Sequence, residues 1–446
     1  MMSRINTLIC ILMLLCFFPF QLALSEPTFQ DSFQNSIGEG NSNSYVIKGV
    51  PYVGQEQLIY CEYASVETVL RYYGINATQT EILYFIGGAY SFGYKPKFTR
   101  TITTPLIRPP YKFRFWANEI TGGTDDYKLM ANFFGLSFDY IYPKTVVNHN
   151  RCWREYWKQV KNYVENDIPV ITGLDPLAWS PYKELINLSL YVPKIFSYLL
   201  SATHIVVVVG FNETNKTVCV NDPGTGYFDK PERGTYRWVN LSEFREAVSR
   251  INWELKEDRY EMLIFKKISD PLPENITYSF VHKRNIEKMK GVKSAYDQHF
   301  INKDFSKFGI DGLKALKNDF KSKFLFRIPA FKIFAKFYPL TYPFHDVLTE
   351  MRNRFYWTYF DKHSISQYLL NNSHETSYHK RDAILLELES RCWNNLSIFA
   401  ENLEEIILNN SFPKNLILSK PILTKMVDAL DDIILIEELI VDDLPD

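Results

Sequence analysis

Three side chains in the first half of this 446-residue sequence can together attack a carbonyl group: Cys61, His204 and Asp222. Cys61 stands just ahead of the amphipathic pattern Val66, Val69, Leu70 and Tyr73, which Gly74 closes, so it is expected in the first turn of a helix. There the unpaired backbone N–H groups and the positive end of the helix dipole favour thiolate over thiol. A thiolate needs a base, a group that orients the base, and donors for the oxyanion. His204 opens the β-branched run Ile205–Val209 and is the only histidine between His149 and His282. A second such run, Thr217–Val220, follows across the polar turn Asn212–Lys216, so the two are expected to pair as a hairpin. That hairpin carries Asp222 back toward His204, where a carboxylate fixes the imidazole tautomer and stabilises the imidazolium. Gln55, six residues before Cys61, offers a side-chain amide to the oxyanion alongside the Cys61 N–H, and Gln57, four residues before it, is the competing candidate.

Each of these residues also has an ordinary use. Cys61 alone suits a small buried hydrophobe at a helix start, His204 a strand-end histidine, and Asp222, ahead of Pro223-Gly224, a turn residue. Cys152 and Cys219 are expected in the core or in a disulfide, since neither begins a helix that a histidine faces. Beyond Cys10 and Cys16 near the N-terminus, the four cysteines Cys61, Cys152, Cys219 and Cys392 admit two disulfides, or one with two free thiols. No spacing among them matches a zinc site. His374 and His379 are five residues apart where a zincin helix needs four, so neither a metal nor a cofactor is expected.

Around these residues run several short motifs: Gly49-Val-Pro-Tyr-Val-Gly-Gln55, Cys61-Glu-Tyr-Ala-Ser65 leading to Leu70-Arg-Tyr-Tyr-Gly74, and Gly123-Thr124 ahead of a helix ending at Gly135-Leu136. Ile168-Pro-Val-Ile171, His204-Ile-Val-Val-Val-Val-Gly210 and Asn221-Asp-Pro-Gly224 follow. In this order, over about 220 residues, they resemble the bacteriocin-processing peptidase family, the thirty-ninth of the papain-like cysteine peptidases. The resemblance implies a papain-like fold with Cys61 as nucleophile, His204 as base, Asp222 as its orienting carboxylate and Gln55 in the oxyanion hole. Two departures bear on activity. Relatives place Gly-Pro after the nucleophile where this chain has Glu62-Tyr63, and a carboxylate beside Cys61 opposes thiolate formation. The separation of 143 residues between Cys61 and His204 is long for the family, with the excess in Ser91–Trp116 and Asp175–Ser201, insertions placed to cap or block the cleft.

The elements that must hold these side chains belong to an α+β chain. Hydrophobic residues at 46% and charged residues at 23% exclude wholesale disorder and a multi-span membrane protein. A net charge of −1 removes any global electrostatic case for nucleic acid. Residues 1–25 combine Arg4, the apolar run Leu8–Phe20 and the small-residue pattern Ala23-Leu24-Ser25, which reads as a signal peptide for a secreted protein, with membrane contact only if it stays as an uncleaved anchor. Residues 26–44 read as a flexible leader and 45–270 as the papain-like domain. In that domain Trp153, Tyr156, Trp157, Val160, Tyr163 and Val164 mark a second helix face, and Tyr260–Phe265 a further strand of the sheet. Past Pro271 and Pro273 strand patterning fades, and 285–446 is expected as an α-helical domain built around Ala383–Leu408 and Leu423–Ile440. Within it, Lys321–Lys336 reads as a helix packing Phe324, Phe331 and Phe334 inward. Asn-x-Ser/Thr acceptors occur at Asn76, Asn187, Asn212, Asn215, Asn240, Asn275, Asn371, Asn395 and Asn409, against about three expected by chance, which suggests a glycosylated surface.

The expectation is thus an exported thiol hydrolase that cleaves a peptide or amide bond through an acyl-thioester on Cys61. The same triad would serve an acyltransferase or transpeptidase, since relatives of this fold transfer acyl groups. Glu62 and the insertions would instead suit a catalytically inactive peptide-binding module.

Overall fold

The computed structural model describes residues 43–57, 59–95, 114–117, 124–141, 149–179, 204–228, 234–249, 260–268, 276–295, 307–322, 347–372, 377–410 and 414–442. The leader segments through residue 42, Phe324, Phe331 and Phe334, residues 180–203 of the second insertion, and His374 lie outside the described residues. In chain order the elements are β1 (Ser44–Val46), α1 (Cys61–Tyr72), α2 (Gln79–Phe85), β2 (Phe92–Lys95), β3 (Arg114–Ala117), α3 (Thr124–Phe133) and β4 (Leu136–Ile141). Then come α4 (His149–Glu165), β5 (Val170–Leu174), β6 (His204–Asn212), β7 (Thr217–Asn221), α5 (Pro223–Phe228), β8 (Arg237–Asn240), α6 (Leu241–Ser249) and β9 (Met262–Lys267). The remainder is α7 (Tyr278–Lys290), β10 (Lys307–Phe308), α8 (Gly309–Ser322), α9 (Val347–Asn371), α10 (Ser377–Asn409) and α11 (Lys414–Val441).

An antiparallel sheet in the order β4-β9-β5-β6-β7-β8 forms the frame of the first half, with β1 paired to the far end of β6. Val206, Val207, Val208 and Val209 alternate between its faces and all are fully buried, so β6 is covered on both sides. Burying each such valine contributes about 1.5–3 kcal/mol, which makes β6 the rigid centre that presents His204 at its start. Helices α1 and α4 pack on it. The α1 pattern falls as its periodicity predicts, with Val66, Val69 and Leu70 fully buried and Gly74 at φ +86° after the last turn. The six apolar residues of α4 are all buried, with Trp153 and Trp157 stacked at 5.5 Å, so much of the aromatic content is core. The register of β6 against β7 shifts between Val208 and Gly210, where β1 also comes close; a Cβ on Gly210 would overlap the Tyr45 carbonyl oxygen.

Strands β10, β2 and β3 form a second small antiparallel sheet. Of the insertion expected over the cleft, β2 is therefore an anchor and not a cap: Phe92 and Tyr94 enter a core built with Leu313 and Leu316 of α8, Phe355 of α9, Trp393 of α10 and Leu430 of α11. Other faces of the helices join the core of the first sheet, through Val281 and Met289 of α7, Ile365 and Leu369 of α9, Ala383 and Leu386 of α10, and Ile440 of α11. The helical series begins at Tyr278, seven residues ahead of the expected start, because Thr277 caps α7 by accepting the Phe280 N–H at 3.2 Å. None of the four described cysteines is in a disulfide, so neither disulfide arrangement forms, and Cys152 and Cys219 lie in the core.

Candidate active site

Cys61 is the first residue of α1, after the N-cap Tyr60. Tyr60 makes no side-chain cap, and the positive end of the helix dipole lies at Cys61. Ser65, one turn on, donates to the Ile205 carbonyl at 3.4 Å and so ties α1 to β6 beside His204.

His204 is buried, and its Nε2 lies 2.7 Å from Asp222 Oδ1, which leaves Nδ1 for the hydrogen bond that joins the ring to Cys61. Burial works against the charged ring, but the Asp222 carboxylate outweighs it by charge and hydrogen bond. With the Cys61 contact added, the His204 pKa rises to about 10. Asp222 itself is fully buried. Burial would raise its pKa, yet the His204 charge, hydrogen bonds from His204 and Trp179, and the Arg237 charge hold it below the usual carboxylate value.

Sequence reasoning did not find Trp179 and Arg237. Trp179 Nε1 donates to Asp222 Oδ2 at 2.8 Å, Arg237 Nη1 reaches the same oxygen at 3.3 Å, and the Gly224 N–H donates to Oδ1 at 3.2 Å. The Arg237 guanidinium lies 5.6 Å from the Trp179 ring centroid, so each holds the other on the carboxylate. The strand register that pairs Val220 with Arg237 was the available signal, once β8 was known to border β7. Gly234 closes the arrangement: its carbonyl accepts the Asp222 N–H at 2.9 Å, and a Cβ there would overlap the Asp222 carbonyl oxygen.

Gln55 is buried in the loop ahead of α1 and brought to the Asp222 end of the sheet by its own N–H, which donates to the Pro223 carbonyl at 3.1 Å. Asn221 Nδ2 supports the same loop at the Pro51 carbonyl, 3.0 Å away. The Gln55 amide donates to the Gln57 carbonyl at 2.9 Å, so Gln57 acts through its backbone as a support for Gln55. Gln79, fully buried at the start of α2, grips both flanks of Gln55 by donating to the Gly54 carbonyl at 3.0 Å and accepting the Glu56 N–H at 2.9 Å. It too escaped sequence reasoning. The Glu62 carboxylate, the feature that argued against a thiolate, accepts the Tyr127 hydroxyl of α3 at 2.8 Å. Adjacent helical residues point about 100° apart, which lets Glu62 engage α3 while Cys61 engages His204.

Among the described residues no group of three or more His, Cys, Asp or Glu side chains is placed to hold a metal ion, and no helix is long and apolar enough to cross a membrane. Buried thiol, imidazole and carboxylate in series can deprotonate the thiol, hold the resulting cation and return the proton to a leaving group. Residues 47–254 match the model of the Peptidase_C39 like family, which is consistent with a papain-like cysteine-peptidase-like domain. The match contains Gln55, Cys61, Trp179, His204, Asp222 and Arg237, and ends before β9 and helices α7–α11. No curated protein matches the chain.

Proposed function

We propose that this protein is a thiol hydrolase that cleaves a peptide or amide bond through an acyl-thioester on Cys61. The observation that carries the reading is the buried series from Cys61 through His204 to Asp222, with the carboxylate held by Trp179 and Arg237. His204 takes the thiol proton as Cys61 sulfur attacks the carbonyl carbon. The oxyanion draws on the Gln55 amide and the Cys61 N–H. Collapse breaks the C–N bond, and the amine leaves with the proton from His204. Water, deprotonated by the same ring, then splits the thioester to a carboxylic acid and restores the thiol. Asp222 keeps its charge throughout and stabilises the imidazolium.

Incubation with a fluorogenic peptide-amide library should release the fluorophore, and mass spectrometry should find the acyl group on Cys61. Added primary amines sort the acceptor: free acid as the product supports a hydrolase, and a new amide in place of the acid makes the protein an acyltransferase. No turnover and no acyl-Cys61 across the library would favour the binding-module reading.

Export belongs to the same proposal. It is supported by the apolar leader Leu8–Phe20 and by the acceptor sites, of which Asn76, Asn215, Asn240, Asn371, Asn395 and Asn409 are exposed and able to carry a glycan.

A further inference from the structure

The residue next to the nucleophile is held by a helix 300 residues away. Tyr60, immediately before Cys61, is 1% exposed, and its phenol donates to Asp361 Oδ1 of α9 at 3.0 Å across a sequence separation of 301. Ser364, three residues along the same face of α9, shares a second hydrogen bond with that hydroxyl at 3.3 Å. Ile365 and Leu369 continue this face into the core of the first sheet, and Tyr368 meets Tyr84 of α2 at 5.4 Å. The place of Asp361 relative to α1 is therefore set by apolar packing and does not depend on the one hydrogen bond.

Tyr60 also stands between the two groups that the reaction uses. Its N–H donates to the Gln57 carbonyl at 3.0 Å, the same oxygen that receives the Gln55 amide at 2.9 Å, and its own carbonyl begins the α1 ladder by accepting the Ala64 N–H at 2.9 Å. Movement of Tyr60 would shift the Cys61 sulfur through the helix start and the Gln55 amide through Gln57. Burial and the nearby Asp361 charge raise the phenol pKa well above its ordinary value, so Tyr60 remains a donor at any working pH.

We propose that the C-terminal helices complete the catalytic site, with Asp361 of α9 as a positioning residue that, through Tyr60, holds the start of α1 and the Gln55 loop in attack geometry. This rests on Cys61 being the nucleophile. It assigns to the helices beyond the family match a direct part in catalysis, since a displacement of about 1 Å at the reacting atoms can lower a rate about a hundredfold.

The test uses the full chain and compares the rate of Cys61 alkylation by iodoacetamide, across pH, in wild type, Tyr60→Phe, Asp361→Ala and Asp361→Asn. Measurements are made well below each variant's melting temperature, with folding checked by circular dichroism. Tyr60→Phe keeps the ring and deletes one oxygen; it and Asp361→Ala should react about ten- to a hundredfold more slowly than wild type, with an altered pH profile. Asp361→Asn still accepts the phenolic proton and should recover most of the rate. If Asp361→Ala does not fold, Tyr60→Phe decides alone. Folded Tyr60→Phe that reacts at the wild-type rate with the wild-type pH profile overturns the positioning role, even if it melts earlier. A wild-type Cys61 no more reactive than Cys392 overturns instead the reading of Cys61 as nucleophile, so the two failures are distinguishable.

Discussion

Replacing His204 by alanine should lower peptide-amide turnover by about a thousand- to ten-thousandfold, measured on protein shown by circular dichroism to be folded. The size follows from the two roles the proposed mechanism gives the ring. Without it the Cys61 proton has no acceptor, the leaving amine has no donor, and Asp222 faces Trp179 and Arg237 with nothing to orient. Cys61→Ala should fall to the same floor, because the two residues act as one unit and their losses do not add. The pH profile carries a sign. His204 is raised from 6.5 to about 10, so its charged form persists through neutral pH and is lost as pH rises through about 10. Turnover that needs the imidazolium as acid should decline over that range. Asp222 lies below the usual carboxylate value, so it stays ionised on the acid side until pH drops beneath that range.

The second large effect is on stability. Asp126→Ala should destabilise the protein by about 3–5 kcal/mol, read as a lower urea midpoint at unchanged slope. Asp126 of α3 is fully buried and accepts Lys288 Nζ at 2.7 Å and Arg284 Nη2 at 3.1 Å, both from α7. The Lys288 ammonium, itself fully buried, also donates to the Ile86 carbonyl at 2.7 Å. Removing the carboxylate leaves that cation in the core without its counter-charge. The pair Asp126→Leu with Lys288→Met should recover much of the loss, since buried ion pairs are often replaceable by apolar groups of similar volume. Recovery in the pair but not in either single variant would locate the cost in the unpaired charge.

What could be read from the sequence was what local periodicity encodes. The α1 face, the α4 face and the β6–β7 hairpin each span fewer than twenty residues, and their apolar spacing fits one secondary structure. Cys61, His204 and Asp222 were legible because they sit at the ends of those elements. Strand β9 was placed two residues early, since Tyr260 takes φ +57° ahead of the strand. Trp179, Arg237, Gln79 and Asp361 were not legible, as each acts across a long loop or between distant segments and carries no pattern of its own. The charge balance inside the helical bundle was hidden for a related reason. Lys362, which carries no sequence signal, is buried in the bundle between Glu389 at 2.7 Å and Glu437 at 3.2 Å, where one cation balances carboxylates from two other helices. The role of β2 followed the same logic: in sequence it lies within an insertion of the peptidase-like segment, and its partner β10 lies more than 200 residues later.

The most direct test of Cys61 as the nucleophile is a competition among Cys61, Cys152, Cys219 and Cys392, the four cysteines beyond the N-terminal Cys10 and Cys16, treated with limiting iodoacetamide near neutral pH and read by peptide mass spectrometry. Accessibility and activation give opposite orders here. Cys392 is the most exposed of the four, but burial and the nearby Asp432 and Glu389 charges push its pKa up to about 11. Cys219 is fully buried, and burial pushes its pKa up to about 12, while Cys152 lies in the core. Cys61 is 8% exposed and hydrogen-bonded to His204. The account predicts that Cys61 is alkylated first and that His204→Ala abolishes its lead. Labelling that begins at Cys392 and leaves Cys61 unmodified in the wild type would contradict it.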